Sequence, residues 1–108
     1  MLIKYDADIR FDAIVKNLHR LTNQIYKLLP SREEGADWVK PLETIIEEFS
    51  GMNELFLNYH DLLFSLLCKL EGLFDLTEDK DFQLYRRTIF ECLGLVCDLV
   101  KICQDSET

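Results

Sequence analysis

A chain of 108 residues with 48% hydrophobic and 30% charged residues has enough apolar side chains for one folded core and too many for a disordered segment. Four glycines and two prolines supply too little turn chemistry for many short strands, which argues against an all-β fold. Twenty acidic residues against twelve basic ones give a net charge of −8, which opposes non-specific binding to nucleic acid or to an anionic membrane.

The opening residues, MLIKYDADIR, lack the charged-then-apolar layout of a secretory signal. The most apolar window, Leu62 to Leu70, is interrupted by Ser65 and Lys69 and is too short to span a bilayer. The expectation is a soluble cytoplasmic protein without a membrane segment. Its four cysteines, Cys68, Cys92, Cys97 and Cys103, all fall in helical patterns and read as buried free thiols.

Heptad spacing is the strongest signal along the chain. In the first segment Phe11, Ile14, Leu18, Leu21, Ile25 and Leu28 alternate three and four apart. This predicts a helix over about 8–29, capped by Asp6 or Asp8 and stopped by Pro30. Asp12, Lys16, Arg20, Asn23 and Lys27 fall opposite the apolar stripe, the pattern of an outer helix. The stretch from Ser31 to Asp37 reads as a loop around Gly35.

A second segment opens at an Asp37 N-cap, with Pro41 in the first turn. Trp38, Leu42, Ile45, Phe49, Met52, Phe56, Tyr59, Leu63, Leu66, Leu70 and Leu73 keep the alternation without a stutter. Two architectures follow. An uninterrupted phase favours one helix over 37–75, about 58 Å long at ~1.5 Å per residue. A break and reversal near 51–60 gives two helices, for which the turn signals are weak. After a polar run from Thr77 to Asp81, where Thr77 or Asp79 can cap, a last helix over 81–104 carries Phe82, Tyr85, Ile89, Cys92, Val96, Leu99 and Cys103. The whole chain is thus one all-α domain, an antiparallel helical bundle of three helices with a long centre or of four.

The remaining positions point to surfaces. Leu84, Phe90, Leu93, Leu95, Cys97, Val100 and Ile102 spread apolar residues round the last helix, as if it were buried on several sides. In the middle segment Leu57 and Phe64 stand where a monomeric bundle is polar. Thr44, Gly51, Asn58, Ser65 and Gly72 form a row of small or polar residues seven apart, which lets another helix approach. Gly51, Leu57, Phe64, Ser65 and Gly72 are therefore the candidate interface. Residues 36–80 carry a net charge of −7, and Glu43, Glu47, Glu54, Asp61 and Asp75 form a candidate acidic face.

Motifs for chemistry are weak. Magnesium-dependent all-α nucleotide pyrophosphohydrolases use acidic pairs three apart on a helix, and the middle-segment acids do not give them; Glu78 and Asp81 do, but across a loop. Position 57 is leucine before His60 and position 16 is lysine before His19, so the E-x-x-H pairs of di-iron bundles are missing. Cysteine spacings of five and six do not suit zinc, and the R-x4-6-H pattern of small helical RNases is absent. No metal or other cofactor is expected, and His19 and His60 read as surface residues.

The layout of a helix ending in YKLLPSREEGADW followed by long apolar helices resembles the architecture of small bacterial four-helix accessory proteins associated with ribosomal intervening sequences and retroelements. The surface that meets RNA in those proteins is basic, whereas this chain is acidic.

The functional expectation is a non-catalytic helical interaction protein: an adaptor, regulator or accessory subunit with an unidentified protein partner and no direct nucleic-acid contact. A long central helix would leave Leu55, Leu62, Leu67, Phe74, Phe90, Leu95 and Ile102 too thinly covered, which predicts a homodimer. The alternative is an acidic inhibitor that imitates nucleic acid in a partner's basic groove. A pyrophosphohydrolase-like enzyme ranks third.

Overall fold

Each heptad segment has one apolar stripe, and the stripes bury one another as four antiparallel helices: α1 (Leu2–Glu33), α2 (Val39–Ser50), α3 (His60–Gly72) and α4 (Phe82–Ser106). This computed structural model describes the backbone of residues 2–106 and the side chains of residues 12–56 and 58–105. Among the described residues there is no strand. α1 packs on α2 and α4, and α3 packs on the same two, so the helices close a ring in chain order. One core runs through the ring, with Leu21 and Ile25 from α1, Leu42 and Phe49 from α2, Leu63 and Leu70 from α3, and Ile89 and Val96 from α4. Most heptad residues form this core, with Ile14, Trp38 and Phe82 partly buried against it; Phe11 has its side chain outside the described residues.

α1 does not end at its proline. Pro30 lies inside the helix, which continues to Glu33. Gly35 supplies the stop, with φ +75°, the left-handed conformation that glycine adopts without steric penalty. Around it the Gly35 N–H donates to the Arg32 carbonyl at 3.2 Å and the Ala36 N–H to the Ser31 carbonyl at 2.8 Å, closing the orphaned end. At its other end α1 begins at Leu2, so Asp6 and Asp8 lie within the helix; their side chains are outside the described residues. Asp37 does cap α2, its Oδ1 accepting from the N–H groups of Val39 (3.0 Å) and Lys40 (3.4 Å).

The middle segment is two helices. The continuous helix over 37–75 does not form: α2 stops at Ser50, and α3 starts at His60 and runs back antiparallel to it. Between them Met52 N–H donates to Phe49, Asn53 to Ser50 and Leu55 to Met52, a run of tight three-residue turns. Phe56 (φ −121°, ψ 41°) and Tyr59 (φ −124°, ψ 33°) then leave the helical region. Because the tight turns keep winding in the helical sense, Met52 and Phe56 still point inward and close the bundle end. Tyr59 alone of the eleven heptad residues is exposed, at the corner. A one-turn 3₁₀ extension (Leu73–Asp75) ends α3, and another (Asp79–Asp81) leads into α4, which continues to Ser106 through most of the expected polar tail.

At the opposite end Arg32 of α1 joins α4 to the α3–α4 connection. Its guanidinium donates to the carbonyls of Leu76 (2.9 Å) and Glu78 (2.7 Å) in the α3–α4 connection. The same group lies 4.7 Å from the ring of Tyr85 and 5.2 Å from that of Phe82 on α4. Tyr85 is fully buried and meets Trp38, just before α2, edge to face at 5.2 Å.

Replacing Arg32 by alanine removes two charge-assisted hydrogen bonds and two cation–ring contacts, and is expected to cost about 2–3 kcal/mol in urea unfolding. Arg32→Lys keeps the charge but not the fork, and should recover only part of the loss. An unchanged midpoint in Arg32→Ala would show that this junction does not hold the bundle together.

Candidate functional site

Three surfaces come out of the ring of helices. The first is the outer face of α3. Phe64 is 58% exposed, with His60 one turn earlier stacked beside it at 6.1 Å. Ser65 and Gly72 are also exposed on α3, and nothing lies within 4 Å of a Cβ built on Gly72. Gly51 is not with them: it caps the end of α2, so the break divides the predicted row of small residues, leaving Thr44 on α2 and Gly51 and Asn58 in the connection. Leu57 has its side chain outside the described residues.

The second surface is the seam between α2 and α3. Reversal of the chain brings Glu43 and Glu47 from α2 together with Glu71 and Asp75 from the end of α3, round a floor of Ile46 and Phe74. Glu54 and Asp61 lie at the other end of the hairpin, in the turn and at the start of α3. The candidate acidic face is therefore not one row along one helix. It is a four-carboxylate groove, to which Glu71 is an addition, with two separate acids. None of the four groove acids makes an ion pair among the described residues.

The third surface lies on the other side of the ring, on the outer face of α4 up to its seam with α1, and the sequence reading missed it. Leu84 (42% exposed) and Phe90 (43%) are in the open, as is Cys97, so α4 is not covered on several sides. Tyr26 of α1, 54% exposed, meets Phe90 edge to face at 6.4 Å. The Arg86 guanidinium sits 5.1 Å from the Phe90 ring, and Arg87 and Lys80 line the same hollow. The signal was the basic pair Arg86-Arg87 set between two off-heptad apolar residues. Read by hydrophobicity alone, Leu84 and Phe90 look like core.

The thiols divide into two classes. Cys92 and Cys103 are buried, while Cys68 and Cys97 are exposed, against the expectation that all four are buried. Burial pushes the Cys92 thiol up to about 12, a shift that the charge of Lys69 reduces and that of Glu91 adds to. Tyr85 is likewise pushed up to about 12 by burial, against the opposing pull of Arg32. Its hydroxyl reaches the Leu28 carbonyl only at 3.5 Å. His19 and His60 are both exposed, and among the described residues no group of three His, Cys, Asp or Glu comes together to hold a metal. No helix, among the described residues, is long and apolar enough to cross a membrane. Comparison with known protein families, with curated proteins and with solved structures finds no match.

Alkylation of the native protein near pH 8 should add two adducts, at Cys68 and Cys97, and four after unfolding. Native labelling of Cys92 at the rate of Cys68 would contradict its burial.

Stability should also fall in alkali. The unfolded chain ionises Cys92 from pH 9 and Tyr85 from pH 10, while the folded chain holds both protons to about 12. Each group removes about 1.4 kcal/mol per pH unit across its own window, and has no effect below it. Cys92→Ala and Tyr85→Phe should flatten the loss between pH 9 and 11 relative to the parent; parallel curves would show that neither group carries it.

Proposed function

We propose that this chain is a non-catalytic interaction module of the cytoplasm, an adaptor, regulator or accessory subunit that works through helix faces and self-associates as a homodimer. The observation that supports it is Phe64: a phenyl ring on the outside of a bundle whose core is already closed. A ring of that size left in water forgoes about 2 kcal/mol, which a partner surface recovers.

The case for a dimer differs from the one that a long central helix makes. With four helices, Leu62, Leu67, Phe74, Leu95 and Ile102 pack partly against the monomer's own core, and only Leu55 and Phe90 of that set are exposed. Self-association then rests on the α3 face, where Phe64 with Ser65 and Gly72 offers an apolar knob beside small residues. The acidic-inhibitor reading is favoured by a different observation, the four unpaired carboxylates of the α2–α3 groove, which suit a basic partner surface.

Light scattering of the parent and of Phe64→Glu, from about 10 to 500 μM, tests the first reading; weak interfaces populate in this range. The parent's mass should rise above one chain with concentration, and the variant should need roughly tenfold more protein to do so. Identical masses at every concentration would remove the α3 face from the interface.

A further inference from the structure

The α1–α4 seam and the α2–α3 groove have opposite charge and lie on opposite sides of the bundle, since α1 and α4 are neighbours in the ring and α2 and α3 form the other pair. On the outer face of α4, next to the seam, Leu84 and Phe90 are exposed beside Arg86 and Arg87, and Tyr26 of α1 meets Phe90. Neither arginine meets a carboxylate among the described residues; Lys80 nearby is already paired with Glu78 at 3.2 Å. In the groove, Glu43, Glu47, Glu71 and Asp75 surround the partly buried Ile46 and Phe74. One surface is a shallow hollow with exposed apolar side chains and a cationic rim. The other is an apolar-floored hollow of about 530 Å³ with an anionic rim.

We propose that the seam of one copy docks into the groove of a second copy of this chain, so that molecules associate head to tail. The argument is complementarity of charge, guanidinium against carboxylate, around exposed or partly buried apolar side chains on both surfaces. Pairing either surface with itself about a two-fold axis sets like charges against each other, so neither makes a symmetric dimer by itself. Because the two surfaces face away from one another, a docked pair still presents one free seam and one free groove. The contact is heterologous and propagates until it closes into a ring or is exhausted by dilution. It is separate from the α3 face, and the two can be tested apart.

The experiment uses two variants, a charge-reversed seam (Arg86→Glu/Arg87→Glu) and a neutralised groove (Glu43→Gln/Glu47→Gln), compared by sedimentation velocity alone and mixed. All four residues are exposed, so both variants should fold, and far-UV circular dichroism confirms it. The parent should associate at low salt and lose at least tenfold in affinity by about 0.15 M. Each variant alone should lose that salt-sensitive association. Mixed, they should form a complex of one copy of each that grows no further, because the first keeps only its groove and the second only its seam. Phe64→Glu should leave all of this in place. The inference is overturned by a mixture that does not associate, by a parent that shows no salt-sensitive association, or by variants that each associate as the parent does. In the last case association lost in Phe64→Glu would still support the α3 face.

Discussion

The bundle is held at one end by a single guanidinium. Arg32 stands in the last turn of α1 and reaches the carbonyls of Leu76 and Glu78 across the chain, so it fixes where α3 ends and where α4 begins. Its flat face lies against Tyr85 and Phe82, and Tyr85 in turn holds Trp38 at the entry to α2. α1, the α3–α4 connection, α4 and, through Tyr85, the entry to α2 are thus linked around one side chain. The path of α1 through Pro30 follows from the same constraint, because a helix ending at Leu29 would leave Arg32 in the loop. Pro30 forgoes one backbone donor inside the helix, and the N–H groups of Gly35 and Ala36 satisfy the carbonyls of Arg32 and Ser31 at its end.

Much of this fold was legible in the sequence, and for a definite reason. A heptad stripe reports which side chains face inward, and Leu18, Leu21, Ile25, Leu42, Ile45, Phe49, Leu63, Leu66, Ile89 and Val96 are all in the core. What a stripe does not report is direction along the helix axis. At residues 51–56 the connection winds through tight turns that preserve the inward phase of Met52 and Phe56 while the chain turns back. Periodicity is blind to such a reversal. Ser50-Gly51 and Asn58 are weak turn signals beside an unbroken spacing. Closure of the core is the physical reason for the reversal: two short helices cover the α1–α4 pair where one long helix cannot.

The surfaces were harder to read, because a surface depends on which elements become neighbours. Phe64 was identifiable from its place off the stripe on a single helix, and it is exposed there. The acidic residues were identifiable as a charge excess but not as a site. Only the reversal brings Glu43 and Glu47 opposite Glu71 and Asp75, and the same reversal carries Glu54 and Asp61 away. On α4 the error had the opposite sign. Leu84 and Phe90 have the hydrophobicity of core residues, yet the ring of four places no fifth helix over them.

The charge distribution follows from the same ring. A bundle with the acids scattered evenly would show one sign in all directions, and copies would repel at every approach. Here the strongly acidic segment, 36–80, is folded into a hairpin on one side, so its carboxylates gather on that side. The N-terminal half of α4 keeps Arg86 and Arg87 on the other. The resulting dipole across the bundle makes approach orientation-dependent: like faces repel and unlike faces attract within a Debye length of about 8–10 Å. A net charge of −8 opposes the approach of copies in most orientations, and the uneven placement of the charges makes that opposition weakest where the arginines of α4 face the carboxylates of the hairpin. The exposed apolar residues on α4, Leu84 and Phe90, stand beside those arginines, so the part of the surface with the least repulsion is also the part with apolar area to bury.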